Sequence, residues 1–234
     1  MNILAIDTAT EACSAALYIN GELKSCYQLA PREHSRLILK MIDGLLAEAD
    51  LAVSQLDAIA FGRGPGSFMG LRIAAGVVQG IAFAHDIPVI PVSTLKAIAQ
   101  RAFDETKKKH ILTAIDARMD EVYWAVYSLR EQCWHLHGQE AVMSPDKVYL
   151  PEKFSQSDES WVAAGTGWSS YKDRLLLTVN RQLPTILPDC LPSAEVIAKL
   201  AIAEFNAGNT VTAADAIPVY LRNNVAKKPK PVVL

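Results

Sequence analysis

The chain has 234 residues, half of them hydrophobic, and a formal net charge of −2 at pH 7. This length is enough for one large domain or two small ones, each with its own core. The nearly balanced charge excludes a general attraction to polyphosphate, so a nucleic-acid partner would require a local basic patch or a second subunit. Four scattered cysteines without a C-x-x-C pair argue against a disulfide framework or a zinc ribbon.

The N-terminal segment does not have the features of a signal peptide. It contains Asp7 and Glu11, and it lacks both a basic n-region and a long apolar h-region. We also find no apolar stretch that approaches the length needed to span a bilayer. The sequence therefore predicts a cytoplasmic protein with no membrane partner.

The first half of the chain predicts a meander followed by alternating helices and strands. The Asn20-Gly21 pair is a strong hairpin signal. Ser93 is the expected N-cap of a helix that ends near Phe103. In chain order, the other predicted elements are strands at 3–8, 13–19 and about 22–29, a helix at about 35–49, a strand at 58–61, a helix at 68–85 and a strand at 89–92.

The second half repeats the beginning of the first. Ile6-Asp7-Thr8-Ala9-Thr10 corresponds to Ile115-Asp116-Ala117-Arg118-Met119, and a second strand follows each copy. The repeat predicts two related lobes with a cleft between them, at 1–106 and 107–234, in an α/β fold with mixed sheets. Predicted elements are strands at 111–116, 121–129, about 133–141 and 161–164, then a helix at about 193–207 that ends at Gly208. The tail after Pro218 is expected to fray.

Asp7 and Asp116 each end a predicted strand at the start of a tight turn. In two-lobed phosphotransferase folds, an aspartate at this point holds a metal or a water beside the nucleotide phosphates. An aspartate here can equally form an Asx-type turn, in which it accepts from the backbone N–H two residues on. We expect both side chains to face the cleft, and both interpretations remain open.

The segment from Gly62 to Ser67 is a second candidate for nucleotide contact. Its three glycines allow the backbone to approach a ligand closely, and the next helix directs its positive end at this loop. The lysine of a P-loop is absent, so Arg63 or Arg72 would have to neutralise the phosphates. A tight strand-to-helix connection that needs glycines for positive φ explains the same residues.

The predicted helices at about 35–49 and 68–85 carry more apolar surface than one sheet can cover. The first has a wide apolar stripe, and the second is rich in small residues that let another helix approach. Exposed apolar surface of this kind usually marks an interface, although an internal helix pair is the alternative. We assign the interface to Leu37, Met41, Leu45, Leu71, Ala75, Gly76, Val78 and Gly80.

Metal-binding and nucleophilic candidates are few. Cys133, His135 and His137 alternate, so on a strand they would share one face and could bind a metal, but this pattern is more typical of the polar face of an edge hairpin. No serine lies in a G-x-S-x-G motif. We expect no bound metal and no catalytic residue in this chain.

Four motifs occur in order over essentially the whole chain. They are Ile3-Leu4-Ala5-Ile6-Asp7-Thr8-Ala9-Thr10, Gly62-Arg63-Gly64-Pro65-Gly66-Ser67-Phe68 with Gly70-Leu71-Arg72, Ile115-Asp116-Ala117-Arg118, and Pro218-Val219-Tyr220-Leu221-Arg222. Together they resemble the TsaB (YeaZ) family. The resemblance implies the actin/hexokinase/Hsp70-like fold with two ribonuclease-H-like lobes. It also implies a role in making threonylcarbamoyladenosine beside the anticodon of tRNAs that read codons beginning with A.

The resemblance also implies partners. TsaD-like paralogues carry a metal-binding H-x-x-x-H, whereas here Ile38 stands four residues after His34. Group transfer is therefore expected in a TsaD-like catalytic partner, with a TsaE-like ATPase. The complex would use ATP and contact tRNA, while this chain would bind no cofactor and form a homodimer when alone.

Two other functions remain as alternatives. The first is an autonomous actin-like ATPase or phosphotransferase, and the second, less favoured, is an M22-type (glyco)peptidase. Arg118, Arg222 and the lysines near the C-terminus are candidates for phosphate contact. The residues expected to line a nucleotide cleft are Asp7, Thr8, Gly64, Gly66, Ser67, Asp116 and Arg118.

Overall fold

Two mixed β-sheets, one from each half of the chain, form the framework. The computed structural model describes residues 1–154, 160–180 and 183–222. The strands of the first sheet are β1 (Asn2–Asp7), β2 (Ala12–Ile19), β3 (Glu22–Leu29), β4 (Ala58–Gly64) and β5 (Val89–Ser93). Those of the second are β6 (His110–Arg118), β7 (Glu121–Arg130), β8 (Cys133–Leu136), β9 (Ala141–Met143), β10 (Trp161–Ala164) and β11 (Thr185–Leu187).

Five α-helices pack on these sheets. They are α1 (His34–Glu48), α2 (Phe68–His85), α3 (Thr94–Thr106), α4 (Thr166–Val179) and α5 (Ala194–Asn206). The alternating pattern of β1 explains why helices lie on both faces of the first sheet. Leu4 and Ile6 pack in the cluster that includes α1 and α2, whereas Ile3 and Ala5 pack against α5.

The two sheets share one topology. The first has the order β3-β2-β1-β4-β5, and the second has the order β8-β7-β6-β10-β11, with β9 paired to β7. In each sheet the first strand pairs antiparallel with the second and parallel with the strand that precedes a helix. The predicted duplication and the actin/hexokinase/Hsp70-like fold class are confirmed.

Local signals placed several elements correctly. Asn20 and Gly21 both have positive φ, at 47° and 104°, as a tight hairpin turn requires. The predicted bounds of α2 are confirmed, because the side chain of Ser67 caps its start and Asp86 ends it in the left-handed conformation.

The expectation that no stretch is long enough to span a bilayer is wrong for α2. This helix has 18 residues with a mean hydropathy of 1.3, which suffices by length and composition alone. One such helix is weak support for a membrane span, since core helices of globular domains pass the same test. In this fold α2 packs against β4 and belongs to the core of the first lobe.

Some elements differ from their predictions. The single strand expected at about 133–141 is two short strands, β8 and β9, separated by a turn with Gly138 at a φ of +83°. Neither α4 nor β11 was predicted from the sequence. Helix α4 has a non-helical residue, Tyr171, in its middle, and β11 has only three residues, so neither has a regular pattern.

Helix α5 returns from the second half of the chain to the first sheet. Ile197 and Ala201 pack in one cluster with Ile3, Ala5 and Ala60. The lobe division at residue 107 stays a prediction, but this packing places the last helix against the first lobe. The expectation that the tail frays is wrong for residues 218–222, because the Val219 N–H donates to the Arg63 carbonyl and Arg222 pairs with Glu121. The rest of the tail lies outside the described residues.

Candidate functional site

A cleft of about 1060 Å³ lies between the two lobes. It is at the carboxyl ends of β1, β4, β6 and β10, which is where open α/β sheets place their ligands. Its wall is formed by the β1–β2 turn, the start of α2, the β6–β7 turn, the start of α4 and residues 219–222, here called the C-terminal segment. The polar and aromatic lining includes Glu11, Arg32, His34, Ser67, Phe68, Arg72, Asp116, Arg118, Thr166, Ser169, Ser170, Asp189, Tyr220 and Arg222.

Asp7 does not face this cleft, so that expectation is wrong. Its carboxylate is fully buried, and a Cβ added at Gly62 would lie 2.0 Å from its Oδ2 atom, with Ile197 of α5 on the same side. Burial raises the pKa of Asp7 to about 7, opposed by the hydrogen bond that the Ala9 N–H donates. Within the described residues, Oδ2 has no hydrogen-bond partner. The carboxylate is sealed inside the first lobe.

Asp116 lines the cleft, as expected, but its oxygens are engaged. Arg118 donates from its backbone N–H to Oδ1 at 2.8 Å and from its guanidinium to Oδ2 at 3.1 Å. The Ser170 hydroxyl donates to Oδ2 at 3.1 Å. The backbone N–H of Asp116 in turn donates to Thr166 Oγ1 at 3.0 Å, which attaches the turn to α4.

Both aspartates form the Asx-type turn that the sequence left open. The Ala9 N–H donates to Asp7 Oδ1 at 3.2 Å, and the Arg118 N–H donates to Asp116 Oδ1 at 2.8 Å. Each therefore stabilises its own strand-to-strand connection. The turn alone is a sufficient reason for an aspartate at both positions.

The glycine-rich segment packs on the β1–β2 turn. A Cβ at Gly66 would lie 2.4 Å from the Ala9 carbonyl oxygen, and one at Gly70 would lie 1.9 Å from that of Thr8. The Ser67 N–H donates to the Ala9 carbonyl at 2.7 Å. These contacts explain the glycines as a close strand-to-helix connection.

The remaining cleft candidates divide into two groups. Gly66, Ser67 and Arg118 line the cleft together with Asp116. Thr8 does not: it is buried, and its hydroxyl donates to the Gly70 carbonyl at 2.7 Å. Gly64 does not line it either. It lies at a φ of +106°, and a Cβ there would be 2.8 Å from the Val219 carbonyl.

The β6–β7 turn has an unusual backbone conformation that no residue pattern predicted. Arg118, Met119 and Asp120 all have φ near +60°, a conformation that non-glycine residues rarely adopt and that costs of order 1 kcal/mol each. External contacts hold it there. Arg174 of α4 pairs with Asp120, and Arg222 donates to the Arg118 carbonyl at 3.2 Å.

The C-terminal segment crosses the cleft mouth from one lobe to the other. The Val219 N–H donates to the Arg63 carbonyl at 2.8 Å, and Arg72 donates from Nε to the Tyr220 hydroxyl at 3.2 Å. Arg222 then pairs with Glu121 of the second lobe. Of the two arginines proposed to substitute for a P-loop lysine, Arg72 lines the cleft and Arg63 does not.

The residues assigned to a partner interface fall into two sets. Gly76 and Gly80 are exposed, with open space around an added Cβ, and Leu37 and Met41 are half-buried. The other four are buried and cannot contact a partner in this conformation, which corrects their assignment. Leu45, Ala75 and Val78 lie in the core of the first lobe. Leu71 is buried at the wall of the cleft.

The alternating metal candidates do not form a site. His137 is buried and hydrogen-bonded to Ser128 Oγ at 2.7 Å, whereas Cys133 and His135 are exposed. In the described part of the chain, no three His, Cys, Asp or Glu side chains are close enough to hold a metal. His34 is buried, with Nε2 at 3.2 Å from the Ala12 carbonyl oxygen.

Comparison with known proteins identifies the family of this chain. The family described as TsaD, tRNA N6-adenosine threonylcarbamoyltransferase, matches residues 28–230. The tRNA threonylcarbamoyladenosine biosynthesis protein TsaB of Escherichia coli K12 is 44% identical over 99% of both chains. That of Haemophilus influenzae is 40% identical over 99% of this chain and 98% of its own. This chain belongs to the TsaB family of tRNA threonylcarbamoyladenosine biosynthesis proteins.

Solved structures support the same assignment. YeaZ from Pseudomonas aeruginosa superposes with a TM-score of 0.87 at 46% identity, covering 94% of this chain and 99% of that chain. A second P. aeruginosa structure, described as an uncharacterized protein with similarity to peptidase YEAZ, has a TM-score of 0.88 at 47% identity with the same coverage. The family that the four sequence motifs indicated is confirmed.

Proposed function

We propose that this TsaB-family chain is a non-catalytic subunit needed to form the threonylcarbamoyl group on adenosine beside the anticodon in tRNAs that read codons beginning with A. It acts in the cytoplasm by binding and activating a TsaD-like catalytic subunit, together with a TsaE-like ATPase. The complex uses ATP and contacts tRNA, and this chain holds no cofactor. When alone, it forms a homodimer through α1 and α2, the helices that also bind the TsaD-like partner.

The observation that carries the proposal is the exposed face of α1 and α2. Gly76 and Gly80 lie one helical turn apart on α2 with nothing within 4 Å of an added Cβ. Helix α1 contacts α2 and carries Leu37 and Met41 as half-buried apolar side chains, and Phe83 of α2 is 84% exposed. A helix of a partner can approach the α2 backbone closely here and bury the apolar residues beside it.

The cleft supports a role without catalysis of its own. Asp7 is fully buried in the first lobe, and the carboxylate of Asp116 accepts hydrogen bonds from Arg118 and Ser170. A Mg-nucleotide would have to displace these contacts to reach either carboxylate. The autonomous ATPase is therefore the less favoured function.

The peptidase alternative is also disfavoured. A serine–histidine hydrogen bond exists between Ser128 and His137, but both residues are buried, and Ser128 has no exposed surface. A nucleophile must be reached by its substrate, so this pair is better explained as part of the core.

The assembly can be tested with Gly76→Arg, which places a long charged side chain on the proposed interface without filling occupied space. We expect sedimentation equilibrium to show loss of self-association, and co-purification with a TsaD-like paralogue to be lost as well. Leu45 is unsuitable for this purpose, because it is buried and a charge there would unfold the lobe.

Leu177→Arg is the matched control, since Leu177 is an exposed apolar residue on α4, away from α1 and α2. It should leave assembly unchanged, and both variants should keep the native circular dichroism spectrum and melting temperature. Assembly retained by a folded Gly76→Arg protein would refute the helix-face interface. A modification assay in which each subunit is omitted in turn tests whether this chain is required.

A further inference from the structure

We propose that the mouth of the interlobe cleft binds a single-stranded RNA loop, with a base stacked on Phe68 and Tyr220 and a phosphate held by Arg32 and Arg72. The inference rests on the proposed function, because the RNA is then the anticodon loop of the tRNA to be modified. It assigns to this subunit a direct contact with the substrate.

An exposed aromatic platform stands at the cleft mouth. Phe68 and Tyr220 keep 48% and 40% of their surface exposed, and their ring centroids are 5.4 Å apart. The guanidinium of Arg72 lies 3.9 Å from the centroid of Phe68, and its Nε donates to the Tyr220 hydroxyl. Aromatic rings and arginine planes are the groups on which proteins stack unpaired RNA bases.

The free positive charge lies on the first-lobe side of this mouth. Arg118 pairs with Asp116 and Glu11, and Arg222 pairs with Glu121, so the two arginines expected from the sequence to contact phosphate are already neutralised. Among the described residues, Arg32 and Arg72 have no carboxylate within ion-pair distance.

A phosphate can therefore bind Arg32 and Arg72 without breaking an existing ion pair. The hydrogen bond to Tyr220 uses only Nε of Arg72, which leaves its two terminal nitrogens available to phosphate oxygens. A phosphate contact of this kind positions the strand without reading its sequence.

The negative charges of the cleft orient such a strand. Asp116, Asp189 and Glu11 line the cleft. Arg118, which pairs with the first and the last of them, offsets only one of these three negative charges. They disfavour a second phosphate near the β6–β7 turn and direct the base edge, not the backbone, toward it. Ser169 also lines this side, and its hydroxyl can donate to or accept from a base.

The chemistry matches a phosphodiester better than a nucleoside triphosphate. Two unpaired arginines balance one or two backbone phosphates, whereas a triphosphate concentrates more negative charge at one point and requires a metal or a lysine beside it. The cleft volume, about 1060 Å³, also lies at the upper end of the range for sites that enclose a small molecule. It admits a nucleotide that remains joined to its neighbours.

The test is fluorescence anisotropy of the full chain at low salt, with a labelled RNA hairpin that carries an anticodon-type loop. We expect Phe68→Ala to weaken binding about tenfold, and Arg32→Ala and Arg72→Ala to weaken it about five- to tenfold. Each arginine variant should also reduce the slope of log K against log salt by about 0.7, and Phe68→Ala should not.

Matched controls are Tyr27→Ala, an exposed aromatic residue on β3 that does not line the cleft, and Arg130→Ala, an exposed arginine at the end of β7. Both should change binding by less than about twofold. A blunt duplex made from the stem should bind more weakly than the hairpin, and adenosine monophosphate should not displace the hairpin.

Three results would overturn the inference: no hairpin binding by the native chain, equal binding by the Phe68, Arg32 and Arg72 variants, or full displacement by the mononucleotide. The last would show a site for free nucleotides. These variants should leave self-association intact. Absence of RNA binding by a native chain that assembles normally therefore removes this inference alone, whereas failure of the Gly76 test removes the proposed interface alone.

Discussion

Asp7 and Asp116 each end a strand at a tight turn, and these two strand–aspartate–turn units have the same backbone arrangement but different solvent exposure. Asp7 and Asp116 each accept a hydrogen bond from the backbone N–H two residues on. Asp7 is nevertheless sealed under Gly62 and Ile197, whereas Asp116 lines the interlobe cleft. The difference arises because α5 returns to cover the first unit. Duplication of a motif has thus conserved its geometry, and the packing around it decides what its carboxylate can do.

The largest expected effect comes from the glycine that fits α2 to the first unit. Gly70→Ala would place a Cβ 1.9 Å from the Thr8 carbonyl oxygen, so the helix or the turn must move. We expect a loss of about 3–5 kcal/mol in the free energy of unfolding, measured with urea. In the second lobe, the glycine at the start of α4 is packed less tightly, since a Cβ at Gly167 would lie 2.8 Å from the Ala114 Cβ of β6. Gly167→Ala should therefore cost about 1–2 kcal/mol.

Gly76→Ala is the control within the same helix. An added Cβ there meets open space, so the substitution should stabilise the isolated chain by about 0.5–1 kcal/mol through helix propensity. A Gly70→Ala protein as stable as the native one would show that α2 does not depend on close contact with the β1–β2 turn.

The second prediction concerns the sealed carboxylate. The pKa of Asp7 is raised by burial to about 7 in the folded state, from an unfolded value of 3.8. An acid whose folded pKa is raised loses stability as the pH rises between these values, by up to about 4 kcal/mol. Asp7→Asn removes this penalty, but it adds buried amide N–H groups that cost about 2 kcal/mol.

The variant should therefore be nearly as stable as the native chain at pH 5 and about 2 kcal/mol more stable at pH 8, by urea denaturation at both pH values. Asp116→Asn supplies the comparison between the two units. Its partner Arg118 is 75% exposed, so we expect a change within about 1 kcal/mol at either pH. A pH-independent difference between Asp7→Asn and the native chain would show that the first carboxylate is not held in a desolvated site.

Local pattern was enough to predict the fold but not the site. The Asn20-Gly21 turn, the Ser93 cap and the repeat around Asp7 and Asp116 are each specified by neighbouring residues, and all were predicted correctly. The sealing of Asp7 depends on Ile197, which is far away in sequence, and periodicity alone carries no such information.

The same limit explains the interface residues. A wide apolar stripe indicates that a helix is covered on two sides, but it does not show which side packs against the core of the lobe. Leu45 and Val78 were therefore assigned to the partner interface, although they lie in that core. The left-handed turn at Arg118, Met119 and Asp120 has no glycine to mark it. Arg174 and Arg222 maintain this turn. Both residues are distant from it in sequence, so the residues of the turn do not predict its conformation.

The smallest expected effect tests how the two units are joined. Arg222 links the C-terminal segment to Glu121 beside the second unit, and its side chain is only 15% exposed. We expect Arg222→Ala and Glu121→Gln each to cost about 1 kcal/mol, with a coupling of about 0.5–1 kcal/mol in the double-mutant cycle, measured with urea. The exposed Arg118–Asp116 pair should show a coupling near zero.

Equal coupling in the two pairs would mean that the C-terminal segment adds nothing to the second unit beyond surface charge. A larger value for Arg222 would mean that the C-terminal segment, whose Tyr220 accepts a hydrogen bond from Arg72 of α2, helps to hold the strained turn of the second lobe from across the cleft.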